Sequence, residues 1–230
     1  MRIVAIVQAR VGSSRLPGKS LMPLSGRPLV AHALERVSCV CGVDEVLLAT
    51  SLSERDAPLA RLARDLGYRF WRGSEHDVLD RFAHAARYAE ADLVVRVTGD
   101  CPFLAPEVCS RVVAVAREEP WWDYVSNDTT QSGYPDGTDC ELFSRLTLER
   151  AAASAVHHMD REHVTPWMRR HLPVRIVHST QDWGRDMKLS VDCAEDLALV
   201  RRVAGFLNHG GDFSLLATSA AYRAATKVPA

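Results

Sequence analysis

The amino-acid sequence predicts an α/β fold, with a Rossmann-like, mostly parallel sheet sandwiched by helices. Short runs of apolar and β-branched residues, typical of strands buried on both faces, alternate with segments of helical spacing. This strand–helix–strand order favours parallel pairing with helices on both faces. The 230 residues and their 47% apolar content suffice for one large core, so we expect a single domain over residues 1–230.

The first half of the chain shows the clearest alternation. Strands are predicted at 3–7, 45–50, 68–71 and 93–98, and helices at 29–37, 57–66, 78–89 and 106–117. In the first helix Val30, Ala33 and Leu34 share one face. The second helix has Pro58 in its first turn and is stopped by Gly67, as expected of helix ends.

The second half is less regular. Prolines and glycines between residues 120 and 141 predict loops with short strands at best. Helices are predicted at 146–156, 161–170, 194–206 and 213–222, and strands at 174–178 and 187–191. We expect residues from about 120 to 190 to form a small region built onto the sheet.

A long basic loop follows the first strand. It holds Arg10, Arg15 and Lys19, with Gly12 and Gly18 between them. Small residues let the backbone approach a ligand and point N–H groups at it. Three cations around such a loop predict binding of a polyanion such as a triphosphate.

Two common phosphate-binding motifs do not fit this loop. A Walker A motif needs a glycine where Ser13 stands, and Gly12 is one residue too early. Pro23, Gly26 and Pro28 also exclude the continuous helix that such a motif opens. The dinucleotide pattern G-x-G-x-x-G is absent as well.

Two aspartates follow predicted strands at the edge of the sheet where open parallel sheets bind ligands. Asp100 stands next to Gly99, and from local sequence alone a metal-binding carboxylate and a turn aspartate are equally good interpretations. Asp192 has Glu195 three positions later, which is also the pattern of a helix cap.

The basic loop resembles that of the sugar-activating nucleotidyltransferases. Their pattern Ala-Arg-x-x-Ser-x-Arg-Leu-Pro-x-Lys is matched by Ala9, Arg10, Ser13, Arg15, Leu16, Pro17 and Lys19. The opening Gln8-Ala9-Arg10 is most similar to the cytidylyltransferases, especially those of the spore-coat-polysaccharide type and the enzymes that make CMP-linked acidic sugars. The resemblance covers residues 1–205 and implies a GT-A-like nucleotidyltransferase fold.

The resemblance also implies roles for residues. Thr98-Gly99-Asp100-Cys101-Pro102 resembles the first metal-binding motif of the family, and Val191-Asp192 the second, although Cys193-Ala194 replaces the usual Thr-Pro. It implies Mg²⁺ on Asp100 and Asp192, and a catalytic set of Arg15, Lys19, Asp100 and Asp192. It implies a nucleotide-binding set of Gln8, Ala9, Arg10, Gly12, Ser13, Ser14, Arg15, Lys19, Ser74, Asp80, Arg81, Thr98 and Gly99.

Ser74 and the forked Arg81 are expected to face the nucleotide base; the alternative is an ordinary capped helix start. Residues 134–141 match the family's aromatic-Pro-Asp-Gly-x-Asp-x-Glu pattern, and the alternative there is a solvated loop. The region from about 120 to 190 is expected to be a small acceptor-binding insertion. The implied acceptor-binding set is Tyr134, Asp136, Asp139, Glu141, Glu162 and His163. His163 is equally compatible with helix packing, and Lys188 with a phosphate contact or a solvated lysine.

Together these features predict a Mg²⁺-dependent cytidylyltransferase that transfers CMP from CTP to an acidic sugar or similar anion and releases pyrophosphate. Alternatives are a phosphonate acceptor, a GT-A-like glycosyltransferase that uses a nucleotide sugar, and a non-catalytic nucleotide-binding subunit. The basic loop speaks against the glycosyltransferase, because a pyrophosphate leaving group requires those cations. Related enzymes are often dimers, so we expect a homodimer.

Composition excludes other classes of function. The formal net charge is −1 and the sequence pI is about 6.8, which gives no electrostatic case for nucleic acid or an anionic membrane. No apolar run approaches the roughly 20 residues of a membrane span. Six cysteines without a C-x-x-C motif predict reduced thiols and a cytoplasmic location.

Overall fold

The structure is a computed structural model that describes residues 1–184, 186–207 and 212–227. Its strands are β1 (Ile3–Gln8), β2 (Pro23–Leu24), β3 (Arg27–Pro28), β4 (Glu45–Ser51), β5 (Arg69–Gly73), β6 (Leu93–Thr98), β7 (Tyr124–Ser126), β8 (Glu141–Ser144) and β9 (Arg175–Ile176). Seven of them form one sheet in the order β5-β4-β1-β6-β8-β7-β9, while β2 and β3 pair as a small hairpin.

Helices cover both faces of the sheet. They are α1 (Leu29–Ser38), α2 (Ala57–Asp65), α3 (Val78–Tyr88), α4 (Pro106–Glu118), α5 (Arg145–Ser154), α6 (His158–His163), α7 (Pro166–His171), α8 (Ala194–Phe206) and α9 (Leu215–Lys227). The predicted α/β class and the mostly parallel sheet are confirmed, since β5, β4, β1 and β6 pair in parallel.

The central strand β1 shows why its sequence is apolar without interruption. Ile3, Ala5 and Val7 pack into a core with α1, α2 and α4. Val4 and Ile6 pack into a second core on the other face, with α3, α5 and α7. Because successive side chains point to opposite faces, a strand buried on both sides needs apolar residues at every position.

Three local predictions are corrected. The strand β8 was not predicted; it runs antiparallel between β6 and β7. Residues 187–191 do not form the predicted strand and contribute one bridge, from Lys188 to Asp136. The helix predicted over 161–170 is two short helices, because Val164 has a φ of +70° and Pro166 starts α7 without an N–H.

Two further predictions concern membrane-spanning segments and the cysteines. None of the helices in the described ranges is long and apolar enough to cross a membrane. All six cysteines are free thiols; Cys101, Cys109 and Cys140 are buried.

Candidate active site

A polar cavity of about 310 Å³ opens where β1 and β6 end, against the segment that leads into α8. Its walls combine most of the predicted nucleotide and metal residues with two from α6: Gln8, Ala9, Arg10, Ser13, Ser14, Arg15, Lys19, Ser20, Arg96, Thr98, Asp100, Glu162, His163 and Asp192. The carboxyl ends of parallel strands meet at this edge, which is why residues far apart in sequence converge there.

The close approach of the segments that follow β1 and β6 requires a glycine at position 99. Its N–H donates to the carbonyl of Gln8 at 2.7 Å. A Cβ at this position would lie 2.9 Å from the same carbonyl oxygen and 3.1 Å from the Cβ of Ala9. The absence of a side chain therefore lets Thr98 and Asp100 stand directly beside the start of the basic loop, and this explains Gly99 without a direct ligand contact.

The basic loop is anchored at both ends. Asp56, which is buried, accepts from the N–H of Val11 at 2.7 Å. The carbonyl of Val11 accepts from the N–H of Gly18 at 2.9 Å, so the loop closes on itself before a short 3₁₀ helix at Lys19–Leu21. Gly12 is part of this loop but does not line the cavity. The anchoring turns the Lys19 side chain inward.

Lys19 lies between the two predicted metal aspartates. Its Nζ is 2.6 Å from Oδ2 of Asp100 and 3.6 Å from Oδ1 of Asp192. It also donates to the carbonyl of Val191 at 2.6 Å, and only 12% of its side chain is exposed. One ammonium group therefore holds the ends of β1, β6 and the segment before α8 together.

The two aspartates are held in place by backbone contacts as well. The N–H of Val191 donates to the carbonyl of Asp100 at 2.9 Å. Burial alone would raise the pKa of Asp100, but Lys19 outweighs it and lowers that pKa below its usual value. The carboxylate of Asp196 accepts from the N–H of Asp192 at 2.8 Å and caps α8, and Lys188 contacts it at 2.7 Å.

The donor set at this point fits a divalent cation that is shared with a ligand. Asp100 and Asp192 offer hard carboxylate oxygens, both face Lys19, and each side chain is 27% exposed. In the described part of the chain, no group of three or more His, Cys, Asp or Glu side chains is arranged to hold a metal alone. Mg²⁺ characteristically takes one or two carboxylates and fills its octahedron with water and phosphate oxygens.

The two arginines of the loop lie at the rim. Arg15 is 68% exposed and contacts Oδ1 of Asp192 at 2.8 Å. Arg10 contacts Glu162 of α6 at 3.0 Å, and this contact lowers the pKa of Glu162. His163, the next residue, is exposed at the cavity wall. The Arg10–Glu162 pair therefore connects the first strand with the second half of the chain across the cavity.

The predicted acceptor motif lies beside the aspartates but does not line the cavity. Gly137 has a φ of +91°, and a Cβ there would lie 2.5 Å from the N atom of Ser190. This close approach lets Asp136 accept from the hydroxyl of Ser190 at 3.0 Å. Burial raises the pKa of Asp136, and the charges of Asp192 and Asp100 add to the rise. The Tyr134 side chain is buried in a third hydrophobic core, which also contains residues of α8 and α9.

Asp139 and Glu141 are structural in this arrangement. Asp139 accepts from the hydroxyl of Thr129 at 2.8 Å, and burial raises its pKa. Glu141 is 5% exposed and forms ion pairs with Arg96 and Arg169. The side chains of Tyr134, Asp139 and Glu141 are thus engaged inside the protein, and their predicted contact with an acceptor stays a prediction.

The segment predicted to face a base lies outside the cavity walls. Asp77 caps α3 by accepting from the N–H of Asp80 at 2.9 Å, and Asp80 contacts His84 at 3.3 Å along the helix surface. Arg81 is fully buried and donates to the carbonyl of Ser74 at 2.7 Å. Nε and Nη2 of Arg81 are buried and have no hydrogen-bond partner among the described residues. Arg81 therefore supports the Ser74 backbone through Nη1, and its predicted reading of a base edge stays a prediction.

Two cavity residues were not predicted, Ser20 and Arg96. Ser20 donates to the carbonyl of Arg10 at 3.1 Å, and no pattern in the sequence marks it. Arg96 interrupts the apolar run Leu93–Val97 of β6. A charged residue in the middle of a buried strand needs a hydrogen-bonding partner, so this break in the apolar pattern could have marked Arg96 as a candidate from the sequence alone.

A mostly parallel sheet with cations and two carboxylates gathered at its carboxyl edge is an arrangement that suits a nucleotide-dependent transferase. The sequence model of the Cytidylyltransferase family matches residues 4–203, so the chain belongs to that family of nucleotidyltransferases.

Individual relatives agree. The Spore coat polysaccharide biosynthesis protein SpsF of Bacillus subtilis is 31% identical over 208 residues, which cover 86% of this chain and 85% of that protein. The 3-deoxy-manno-octulosonate cytidylyltransferase of Anaeromyxobacter dehalogenans is 43% identical over 117 residues, which cover 49% of this chain and 47% of the enzyme. The match thus spans about half the length of that enzyme.

A solved cytidylyltransferase structure from Leptospira borgpetersenii shares the fold. It superposes with a TM-score of 0.85 at 24% identity and covers 99% of this chain and 93% of that one.

Proposed function

We propose that this nucleotidyltransferase transfers CMP from CTP to an acidic acceptor, an acidic sugar or a similar anion, and releases pyrophosphate. The observation that carries the proposal is the convergence of Lys19 with Asp100 and Asp192 below the basic loop. A cavity with cations for a triphosphate and two carboxylates for a shared cation suits attack on a phosphoanhydride.

In the proposed reaction, an oxygen of the acceptor attacks the α-phosphorus of CTP. The bond from this phosphorus to the oxygen that bridges it to the β-phosphorus breaks, and that oxygen leaves with pyrophosphate. If the attacking group is a hydroxyl, its proton passes to solvent. Transfer of this kind asks the protein mainly for positioning and charge, so no general base is assigned.

Each cation of the loop has a place in this scheme. Lys19 is buried next to Asp100 and is positioned to hold the phosphates at the floor of the cavity, while Arg15 and Arg10 at the rim stabilise the charge on departing pyrophosphate. Asp100 and Asp192 would hold Mg²⁺, which supplies charge neutralisation at the phosphates.

The relatives support the cytidine nucleotide and the acidic acceptor. One curated relative is named for cytidylyl transfer to 3-deoxy-manno-octulosonate, a sugar acid, and another for biosynthesis of a spore-coat polysaccharide. We keep the proposal that the segment with Ser74 and Asp80 faces the nucleotide base. Arg81 supports this segment by donating to the carbonyl of Ser74.

The test is pyrophosphate release with Mg²⁺ from each of the four nucleoside triphosphates, against a panel of acidic sugars and phosphonates. We expect release with CTP and one class of acid, loss of release with EDTA, and loss in Asp100→Ala. Glu118→Ala, an exposed acidic residue on α4, serves as the control and should leave the rate unchanged.

Other outcomes would contradict the proposal. Release with a phosphonate alone would change the acceptor class but keep cytidylyl transfer. Free nucleotide released from a nucleotide sugar would indicate a glycosyltransferase. Tight binding of CTP without release from any acceptor would favour a non-catalytic nucleotide-binding subunit.

We also propose a homodimer, as the resemblance implies. Trp121 is 71% exposed, and we propose that it contributes to the interface. Sedimentation equilibrium tests it: we expect twice the mass of the chain, and a monomer at all concentrations would contradict it.

A further inference from the structure

Arg96 is the one arginine of the cavity wall that comes from the interior of a strand. It stands beside Ile6 of β1 in the sheet, and Ile6 packs into the core on the face that α3, α5 and α7 cover. Only 16% of its side chain is exposed. A guanidinium at this depth is shielded from water, so its contacts are stronger and more selective than those of the rim arginines.

A buried carboxylate fixes one end of this guanidinium. Nη1 of Arg96 donates to Oε2 of Glu141, its neighbour across β8. The other oxygen of Glu141 accepts from the Tyr124 hydroxyl at 2.5 Å, from Thr165 at 2.9 Å and from Arg169 at 2.8 Å. Four donors therefore hold Glu141, and Glu141 in turn fixes the orientation of Arg96.

The other edge of the guanidinium has no partner in the described part of the chain. Nε of Arg96 is buried and unpaired, and no hydrogen bond to Nη2 occurs among the described residues. Nε and Nη2 point their N–H groups the same way, at the spacing of the two oxygens of a carboxylate. An unpaired buried donor is expensive to leave unmatched, so a carboxylate that enters the cavity gains free energy by pairing with it.

A second cavity residue, Gln8, also has a buried polar atom without a hydrogen-bond partner in the described residues. Oε1 of Gln8, at the end of β1, is buried and finds no hydrogen-bond partner in the described parts of the chain. Gln8 and Thr98 face each other in the sheet two residues beyond Ile6 and Arg96, and both line the cavity. An amide oxygen and a hydroxyl next to a forked cation form a pocket for a group that carries a carboxylate and hydroxyls.

We propose that the free Nε/Nη2 edge of Arg96 binds the carboxylate of the acceptor, that Gln8 accepts from an acceptor hydroxyl, and that Glu141 is the positioning residue for Arg96. This inference rests on the proposed function, and it narrows the acceptor to a sugar acid with a free carboxylate. The phosphates do not need Arg96, because the three cations of the basic loop, Arg10, Arg15 and Lys19, line the same cavity.

The experiment compares wild type with Arg96→Lys, which keeps a positive charge opposite Glu141 but removes the fork. Pyrophosphate release is measured with a panel of sugar acids, including 3-deoxy-manno-octulosonate, each beside its uncharged carboxamide. Arg87→Lys is the matched control, since Arg87 is an ion-paired arginine on the surface of α3. Thermal denaturation checks that all variants are folded.

We expect the KM for the acid to rise roughly 10- to 100-fold in Arg96→Lys while the KM for CTP stays within about twofold. The preference of wild type for the acid over its carboxamide should disappear in this variant, and Arg87→Lys should behave as wild type. Glu141→Gln should raise the KM for the acid as well, because Arg96 loses its anchor.

Three results would overturn the inference. If wild type releases pyrophosphate equally fast with the acid and with its carboxamide, the proposed carboxylate site is wrong, whereas the proposed cytidylyl transfer is unaffected. A parallel rise of both KM values would assign Arg96 to the nucleotide. If wild type releases no pyrophosphate with any acid, the proposed function fails, and calorimetric binding of the same acids decides on Arg96: equal affinity in wild type and Arg96→Lys overturns it.

Discussion

Lys19 determines the charge balance of the cavity floor. Its ammonium group contacts two carboxylates from different elements and a backbone carbonyl, and it is nearly enclosed. A lysine is a compact point charge, so a single side chain can neutralise Asp100 and still meet a phosphate from the open side. The free protein therefore keeps two acidic groups close together without leaving either unpaired.

Replacing Lys19 by methionine should reduce kcat/KM for pyrophosphate release about 100- to 1000-fold, since it removes a fixed donor where negative charge develops. Steady-state kinetics with CTP measure the effect. The exposed Arg61 of α2 provides the control, and Arg61→Ala should be silent. A Lys19→Met enzyme within threefold of wild type would show that the loop arginines carry the phosphates alone.

Glu141 should control acid stability. Burial alone would raise the pKa of this carboxyl, but Arg96 and Arg169 outweigh burial and hold it at about 2, below its ordinary 4.5. Because the folded-state pKa is depressed, the charged carboxylate stabilises the protein above pH 4.5, and that contribution is lost as the pH falls towards 2.

The Glu141→Gln variant should accordingly lose about 3 kcal/mol of unfolding free energy at pH 7 and show a flatter pH dependence between pH 4.5 and 2. Urea denaturation across this range measures both effects. Glu118→Gln, on the exposed face of α4, should retain the wild-type curve. A variant that parallels wild type at every pH would mean that Glu141 contributes no net charge stabilisation.

At the scale of elements, the link between α6 and α7 is strained. The N–H of Thr165 donates to the carbonyl of His163 at 2.8 Å, which closes a γ-turn around Val164 with φ +70° and ψ −55°. A β-branched residue in this region is a true outlier. The Val164 side chain is fully buried, so packing holds a backbone shape that the residue itself disfavours, directly beside Glu162 and His163.

Two substitutions separate these effects. Both Val164→Ala and Val164→Gly remove buried methyl groups and should destabilise the protein by roughly 1–3 kcal/mol. In ordinary structure glycine is the less stable of the two by up to about 1 kcal/mol. Here glycine relieves the positive φ, so Val164→Gly should be at least as stable as Val164→Ala in urea denaturation. If Val164→Gly is instead less stable than Val164→Ala by up to about 1 kcal/mol, the turn carries no strain.

Sequence patterns predicted the elements of the first half closely, because each is long or strongly periodic. The strand Leu93–Thr98 has the predicted bounds, and so does the long helix Ala194–Phe206 in the second half. The second half was harder for a physical reason: Glu141–Ser144 is a four-residue strand whose place depends on partners far along the chain. Local sequence records no such tertiary pairing.

The same limit applies to the site. The loop cations and Asp100 were predictable, since they follow apolar strands at an edge that binds ligands. The side-chain positions of Arg81 and Glu141 were not, because burial of a charged residue depends on which partners surround it. Arg96 could have been noticed as a charge inside an apolar strand.

At the scale of the molecule, the cavity joins the two halves of the chain. The β1 loop forms one wall and α6 the other, and Arg10 and Glu162 meet across it at 3.0 Å. A ligand that fills this space touches segments about 150 positions apart in sequence, as the separation of 152 between Arg10 and Glu162 shows. Its binding should therefore stabilise both.

Hydrogen exchange should show this. With CTP at about 100 times its dissociation constant and no acceptor, so that no turnover occurs, the gain of about 2.7 kcal/mol slows exchange up to roughly 100-fold. We expect protection in 9–20 and in 158–165 together, while α2, which does not line the cavity, serves as the internal reference. Protection confined to the β1 loop would place α6 outside the site.

The position of β8 has a consequence for synthesis on the ribosome. The parallel part of the sheet is complete once Thr98 has emerged, yet the strand that covers the free edge of β6 ends at Ser144. At about 5–20 residues per second, the nascent chain presents an open, apolar sheet edge for several seconds. During that interval, neighbouring chains on the same messenger compete with β8 for pairing. We therefore expect slower translation between these two points to increase the aggregated fraction of newly made protein.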